Sequence, residues 1–566
     1  MLTAIGSDGI FDRSGKQIGL IVRLLILCCL PAHCSGQESP AIQFVDRTAE
    51  SGITFEHFSG RTGKHFILET VTAGVVTFDY DNDGWTDIYL LNGAPLRGGV
   101  QEPPPKNRLY KNLGGFRFQD VTDAAGCGDA GFALGGLAAD VDNDGDQDLY
   151  LANFGGYVLL ENDGCGCFHR RNSSNQPRKR IGAGVAALDV ENDGDLDLFT
   201  ANYVNFSFDR DVSRTIFGVP AAPGPKDYPP DQDFLFTNDG SGGWADASAS
   251  SGIASVPGPG MGVVAFDATG DGRVDIFVCN DSAPNAFWEN LGSGKFEENA
   301  LLVGTAYDVS GAQQATMGVD IADWNHDGQI DVVTTNFIDE IPTLYENSGQ
   351  GYFDDVGPTV GLGAADRSVT WGLGFGDFDN DSWPDLFIAS GHLISGVTAL
   401  NTSETFEAPN LVLRNEQGRR FEAIPAAGGP LAKAQVSRGV ALEDFNRDGL
   451  LDALVLNLND SIQLLENTTE SPWAQMSVRL IGTHATRDAV GARVLVKLED
   501  GTELHSVVVR GRGYQGSFGD TLHFGTAGKS VSRVTVVWPS GQDQHIDLDG
   551  RPDRCLTVIE PHDGQR

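Results

Sequence analysis

The chain has 566 residues, room for one large repeat domain beside a smaller one. Its 78 acidic against 39 basic residues give a formal net charge of −39, which excludes a nucleic-acid surface because phosphate contacts need a basic face. Hydrophobic content of 40% excludes wholesale disorder, and 72 glycines beside 4 methionines favour a turn-rich β protein over a helical one.

The first segment, residues 1–36, reads as an export signal: Lys16 and Arg23 precede the apolar run Leu24 to Leu30, with Pro31 and small residues following through Gly36. That run is too short to span a bilayer, so the mature chain is expected to carry no transmembrane span and to be secreted, periplasmic or cell-surface. Five cysteines then remain, Cys127, Cys165, Cys167, Cys279 and Cys555, an odd number that makes no complete disulfide framework. Cys165 and Cys167 are read as a disulfide within one loop or as free thiols, and Cys279, in an apolar run, as core packing.

From residue 79 onward one nine-residue pattern of oxygen-bearing side chains recurs seven times, with positions one, three, five and nine in common. The copies run Asp79, Asp81, Asp83, Asp87; Asp140, Asp142, Asp144, Asp148; Asp189, Glu191, Asp193, Asp197; and Asp267, Thr269, Asp271, Asp275. They continue as Asp323, Asn325, Asp327, Asp331; Asp377, Asp379, Asp381, Asp385; and Asp444, Asn446, Asp448, Asp452. Position six is glycine in every copy except the sixth, which has Ser382.

A glycine-led apolar run enters each loop and a second apolar run leaves it, both of strand length. Asn closes six of the outgoing runs, at Asn92, Asn153, Asn202, Asn280, Asn336 and Asn457, and Ser390 closes the sixth. A further hairpin follows, as in Leu109-Tyr110-Lys111-Asn112 with Phe118, so each unit supplies about four strands, the content of a propeller blade. The seventh unit stops after Asn467 without its last strand, whereas Phe44-Val45-Asp46-Arg47-Thr48 resembles that strand and precedes the first loop. Residues 42 to 48 are therefore expected to complete the seventh blade and close the ring.

Hard oxygen ligands at alternating positions, without sulfur or imidazole, specify a hard cation of flexible coordination, calcium before magnesium. Position seven is expected to give its backbone carbonyl: Trp85, Asp146, Asp195, Arg273, Gln329, Trp383 and Leu450. Position twelve, occupied by Leu90, Leu151, Thr200, Val278, Thr334, Ile388 and Val455, lacks the bidentate Glu of an EF-hand. Up to seven calcium ions are expected, with at least five sites filled. With a dissociation constant of roughly 10⁻⁴ M, as in extracellular modules, millimolar calcium stabilises the fold by ~1.4 kcal/mol per site.

These loops resemble the FG-GAP/VCBS repeats of integrin α-subunit propellers and bacterial relatives. Near the C-terminal end, Arg487-Asp488-Ala489-Val490-Gly491-Ala492-Arg493, Gly511-Arg512-Gly513-Tyr514, His523-Phe524-Gly525 and Trp538-Pro539-Ser540-Gly541 are similar to the ASPIC/UnbV domain. Together they resemble the cartilage acidic protein and ASPIC/UnbV family, departing from its pattern at Ser382 and at Thr486, where Asn is expected. The resemblance implies an exported calcium-binding protein of adhesion or interaction type, with no established catalytic activity.

The expected architecture is all-β: a seven-bladed propeller over 41–470 with integrin-α-like calcium loops, and a small β-sandwich over 473–560. The insertion from Tyr203 to Gln232, rich in Pro and aromatics, is expected to cover one propeller face, as a contact region or a passive lid. The partner expected is an extracellular protein or glycan. Two alternatives stand beside this reading: a propeller hydrolase or lyase acting on an extracellular polymer, and a structural matrix component. The first has thin support, since no nucleophile elbow, zinc-type His pair or phosphate loop is found, and His57, His65 and His392 are the histidines that stand out.

Overall fold

The computed structural model describes residues 40–171, 180–365, 367–400, 404–425, 429–548 and 555–562. The predicted export segment, residues 1–36, lies outside them. Among the described residues no helix is long and apolar enough to cross a membrane.

Seven four-stranded antiparallel sheets make up most of the fold. Blade one is Val75–Phe78, Asp87–Leu90, Arg108–Asn112 and Phe118–Asp120, and each later blade repeats that order of an inner strand, two middle strands and a short outer one. The middle strands are buried along nearly their whole length, as in Asp275–Asn280, because neighbouring sheets cover both faces. Each inner strand abuts the inner strands of the blades before and after it, and the seventh, Ser437–Glu443, returns to the first, so the sheets form a closed propeller.

The glycine that leads each inner strand has a packing reason. A Cβ at Gly135 would stand 1.7 Å from the carbonyl oxygen of Ala183 in the next blade, and one at Gly318 would stand 2.2 Å from that of Trp371. The series closes at Gly439, whose Cβ would meet the Ala73 oxygen at 2.6 Å. Only glycine lets the inner strands approach this closely.

Closure also uses the expected strand. Phe44–Asp46 pairs with Gln463–Asn467 in the seventh blade, in the register Phe44 to Asn467, Val45 to Glu466 and Asp46 to Leu465. Phe44 is buried and meets Phe378 and Phe387 edge-on, at ring-centroid distances of 5.5 and 6.3 Å.

Beyond the blades, a three-stranded sheet (Leu522–Gly525, Gln475–Ile481, Cys555–Ile559) faces a four-stranded one (Glu503–Val507, Arg493–Leu498, Val531–Val537, Asp543–Asp547). The two share a core that includes Val478, Val494, Val496, Phe524, Val534 and Trp538, a β-sandwich as expected. Thr486, where the family pattern has Asn, accepts the Val490 N–H on its hydroxyl at 3.1 Å.

This segment does not stand apart from the ring: its loop from Arg510 to Gly519 enters the central channel. Gly513 exchanges backbone hydrogen bonds with Val319 at 2.7 and 3.0 Å, Ser517 does so with Val75 and Thr77 at 3.1 and 3.0 Å, and Ala187 donates to Arg510 at 3.0 Å. Tyr514, fully buried, donates its hydroxyl to the Val71 carbonyl at 2.9 Å and meets Trp371 edge-on at 5.2 Å. Arg438 lies 3.7 Å from the Trp371 ring on the same side and donates to the carbonyls of Thr70, Gly391, Ser437 and His392.

The five described cysteines are free thiols, with Cys127 and Cys279 buried. The insertion folds as a small hairpin, Arg214–Ile216 with Val219–Ala221, and its Phe206, Phe208 and Tyr228 pack in a cluster with Phe66 and Phe154.

Candidate metal centre

Because strands alternate in direction, the seven acidic loops, each joining an inner strand to the next, lie on one rim of the ring. All seven share one hydrogen-bond frame. The position-one carboxylate accepts the backbone N–H groups of positions five and six: in loop one, Asp79 accepts from Asp83 and Gly84 at 3.1 and 2.8 Å. The other six loops repeat the pair. Each position-five oxygen accepts the N–H of position seven. Position six takes a left-handed turn, φ +87° at Gly84, and Ser382 adopts it too, at +79°, accepting the strain so that its N–H still reaches Asp377 at 2.7 Å.

Position nine ties the loop to its blade. Asp87 accepts from the Tyr80 N–H at 3.1 Å and from the Asn112 N–H of the third strand at 2.7 Å, and the same two bonds recur in every loop. The Asn of that third strand reaches further, donating its Nδ2 to the position-two carbonyl of the preceding blade's loop. Asn162 donates to Tyr80 at 2.8 Å, and the series closes when Asn112 donates to Phe445 of loop seven at 3.0 Å. Asn467, which lies in an Asn-x-Thr sequence, is one of these staples and fully buried.

In loops one, two and six, carboxylate oxygens of positions one, three and nine converge to within 4.8 Å: Asp79, Asp81, Asp87; Asp140, Asp142, Asp148; and Asp377, Asp379, Asp385. The donor set tests whether a cation fits. Among the described residues, Asp81 Oδ1, Thr269 Oγ1 and Asp379 Oδ2, all at position three, are buried oxygens without a hydrogen-bond partner. Three equivalent orphans, each beside carboxylates held by backbone N–H groups, match a hard cation. Position three differs in loops five and seven, where Asn325 and Asn446 turn their Nδ2 to the position-five carboxylate, at 3.3 and 2.8 Å.

Burial weighs on these acids. It pushes Asp87, Asp148 and Asp197 up to about 8, Asp275 to about 7 and Asp331 to about 9. Position one follows, with Asp140 and Asp323 raised to about 7, while Asp377 and Asp385 in the sixth loop, whose carboxylates are all buried, are raised well above the usual range. The protein alone thus holds its loop carboxylates poorly as anions, a cost that a bound divalent cation would offset.

Two loops carry a basic side chain that sequence patterning did not anticipate as an occupant. Lys111 pairs with Asp81 and, at 2.9 Å, with Asp83, and Arg273 pairs with Asp271. Position four was missed as well. Asn82, Asn143, Asn192 and Asn380 donate to the position-six carbonyl of the next loop at 2.9 to 3.3 Å, and the recurrence of Asn there was the available signal.

The C-terminal sandwich sits on this rim. Asp488 accepts from the Asp140 N–H at 3.0 Å and from Gln147 Nε2 at 2.6 Å, while Arg510 pairs with Asp488 and Asp520, each at 3.1 Å. At loop six, His523 bonds Asn380 at 2.8 Å and Ser471 donates to the Asp379 carbonyl at 2.5 Å, so Asp377, Asp379 and Asp385 are all covered. The histidines His57 and His392 are buried acceptors of backbone N–H groups, from Asn459 at 3.2 Å and Ile394 at 2.9 Å.

Comparison with known proteins agrees with these two parts. The FG-GAP-like repeat model matches residues 79–151, 140–200 and 267–334, and the ASPIC and UnbV model matches 482–564. Cartilage acidic protein 1 of Homo sapiens is 25% identical over 327 residues, covering 56% of this chain and 46% of the human one, and that of Xenopus tropicalis is 24% identical over 318, covering 54% and 45%. The matches thus span about half the length of these relatives. Among solved structures, a lectin of Agrocybe aegerita described as recognising non-reducing terminal N-acetylglucosamine aligns at 17% identity over 69% of this chain and 87% of its own, with a TM-score of 0.36. The V. cholerae biofilm matrix protein Bap1 aligns at 12% identity over 89% and 76%, with a TM-score of 0.29.

Proposed function

The chain is an FG-GAP-repeat protein with an ASPIC and UnbV segment, and we propose that it acts outside the cytoplasm as a calcium-loaded interaction module rather than as an enzyme. The observation that carries the calcium reading is the set of orphaned position-three oxygens, Asp81 Oδ1, Thr269 Oγ1 and Asp379 Oδ2, each beside carboxylates already fixed by the backbone. When bound, calcium would be held by positions one, three, five and nine with the position-seven carbonyl, and it would supply charge compensation, not redox or bond-breaking chemistry. The chain's own residues do the rest. Asn staples pass the position of each loop to the next blade, and Asp488, His523 and Ser471 seat the C-terminal sandwich on the loops.

The interaction reading is supported by what fills the ring. Residues 510–519 fill the channel between the inner strands, and Tyr203, Phe206 and Tyr228 of the insertion pack with Phe66, Met261, Met317 and Trp371 at its other end, so the chain itself occupies the place of a small ligand. The export reading rests on the N-terminal pattern of Lys16, Arg23 and the following apolar run.

Melting in millimolar calcium and in excess chelator tests the reading. Five sites at ~1.4 kcal/mol each sum to about 7 kcal/mol. With an unfolding entropy of roughly 2.1 cal/mol/K per residue, about 1 kcal/mol/K for a unit of this size, the expected rise in Tm is about 6 °C. Equal melting temperatures in the two buffers would remove calcium from the account.

A further inference from the structure

Cys165 and Cys167 lie in the turn between the third and outer strands of blade two, Gly156–Asn162 and Phe168–Arg171. The sequence there reads Asp163-Gly164-Cys165-Gly166-Cys167-Phe168-His169, so four side chains able to ligate a metal alternate with two glycines and a phenylalanine. Phe168 is buried and meets Phe78 edge-on at 6.4 Å, which turns its neighbours Cys167 and His169 outward. Cys165 and His169 are exposed and Cys167 is half-buried, so all three are open to solvent.

The turn itself does not need these residues. Blade three makes the same turn with Asp239-Gly240-Ser241-Gly242-Gly243-Trp244-Ala245. There Asp239 accepts the N–H groups of Ser241 and Gly243 at 2.9 and 2.8 Å, as Asp163 accepts those of Cys165 and Cys167 at 2.9 and 3.1 Å. Each turn is closed by its aspartate N–H donating to the carbonyl four residues on, at 3.1 Å in blade three and 3.0 Å in blade two. Serine, glycine and alanine therefore suffice where blade two has Cys165, Cys167 and His169, and all three departures are to metal-binding side chains.

We infer that Asp163, Cys165, Cys167 and His169 form a zinc site. Two thiolates, an imidazole and a carboxylate are donors for a borderline-soft tetrahedral ion, whereas calcium takes the oxygen-only loops of the rim. Asp163 Oδ2 and His169 Nε2 stand 3.5 Å apart, and two ligands about 2.1 Å from a tetrahedral ion stand about 3.4 Å from each other. Both backbone N–H groups bond Asp163 Oδ1, which holds the carboxyl below its usual range and leaves Oδ2 to the metal. Among the described residues the groups already gathered within 4.8 Å are the three acidic triads, so the two thiols turn inward on binding and release their protons to solvent.

This site shares no residue with the calcium loops, so its failure leaves the calcium reading untouched. The test titrates zinc, and cobalt(II) as a coloured probe, into the reduced full chain held in excess calcium. Cys165→Ser, Cys167→Gly and His169→Ala together rewrite the turn in the form of blade three, and this triple variant is expected to keep the wild-type Tm. Wild type is expected to take up one zinc ion more than the triple variant and to show a thiolate-to-cobalt charge-transfer band that the variant lacks. His169→Ala alone is expected to keep the band and weaken zinc binding at least tenfold. Should the triple variant lose its fold, His169→Ala and Cys165→Ser decide singly. Equal zinc uptake by wild type and the folded variants, a cobalt spectrum without thiolate charge transfer, or recovery of the chain with Cys165 and Cys167 already joined as a disulfide would overturn the assignment.

Discussion

Replacing Tyr514 with alanine removes the side chain that anchors the C-terminal loop in the channel. Tyr514 is fully buried, its ring lies 5.2 Å from that of Trp371, and its hydroxyl is 2.9 Å from the Val71 carbonyl. Truncating a buried aromatic costs about 3–5 kcal/mol. At an unfolding entropy of about 1 kcal/mol/K, that lowers Tm by roughly 4 °C. Tyr514→Phe separates packing from hydrogen bonding. The Val71 carbonyl also accepts from Gln515 Nε2 at 2.7 Å, so losing the hydroxyl leaves no orphan and costs only about 1 kcal/mol. Scanning calorimetry gives the shift, and limited proteolysis shows whether the C-terminal segment becomes the first to be cut. The plug account is refuted if Tyr514→Ala melts with wild type, or if the phenylalanine variant is as damaged as the alanine one.

Asp233 supplies a pH test away from the metal loops. It accepts the Asn202 N–H at 2.9 Å, the place taken by Asn107, Asn285 and Asn410 in blades one, four and six, and burial raises it to about 7. The unfolded carboxyl titrates near 3.9 and the folded one about three units higher, so wild type loses up to about 4 kcal/mol as pH rises from ~4 through ~7. Asp233→Asn is expected to melt higher than wild type at pH 8 and equally at pH 4; parallel pH profiles would contradict the sign. Phe44→Ala, which strips the closing strand of its contact with Phe378 and Phe387, is expected to cost about 3–5 kcal/mol in denaturant unfolding. A loss under 1 kcal/mol would mean that the strand does not hold the ring. Asn162→Ala leaves the Tyr80 and Gln147 carbonyls without that donor and is expected to cost about 2–4 kcal/mol, with faster amide exchange in loop one as well as loop two. Exchange confined to loop two would argue against coupling between blades.

The acidic loops, the strand pairs around them and the strand Phe44–Asp46 that closes the ring were legible because each is a local pattern: alternating carboxylates, apolar runs, a displaced copy of an outer strand. The inner glycines were visible as a rhythm, but their cause, a neighbouring carbonyl within 1.7 to 2.6 Å of where a Cβ would stand, belongs to the closed ring. Likewise Asn112 reads locally as a turn former, whereas its Nδ2 bonds Phe445, 333 residues away. Gly511-Arg512-Gly513-Tyr514 could be recognised as a motif, yet nothing local says that its tyrosine threads the channel to Val71.

The central claim is that the rim of carboxylate loops is built around calcium. Elemental analysis of the purified full chain, equilibrated against 1 mM calcium and corrected for the dialysate, counts the ions directly. Five to seven calcium ions per chain are expected, falling in number when Asp379→Ala and Asp142→Ala remove position three of loops six and two. A count near zero, or one that these substitutions leave unchanged, would contradict the account.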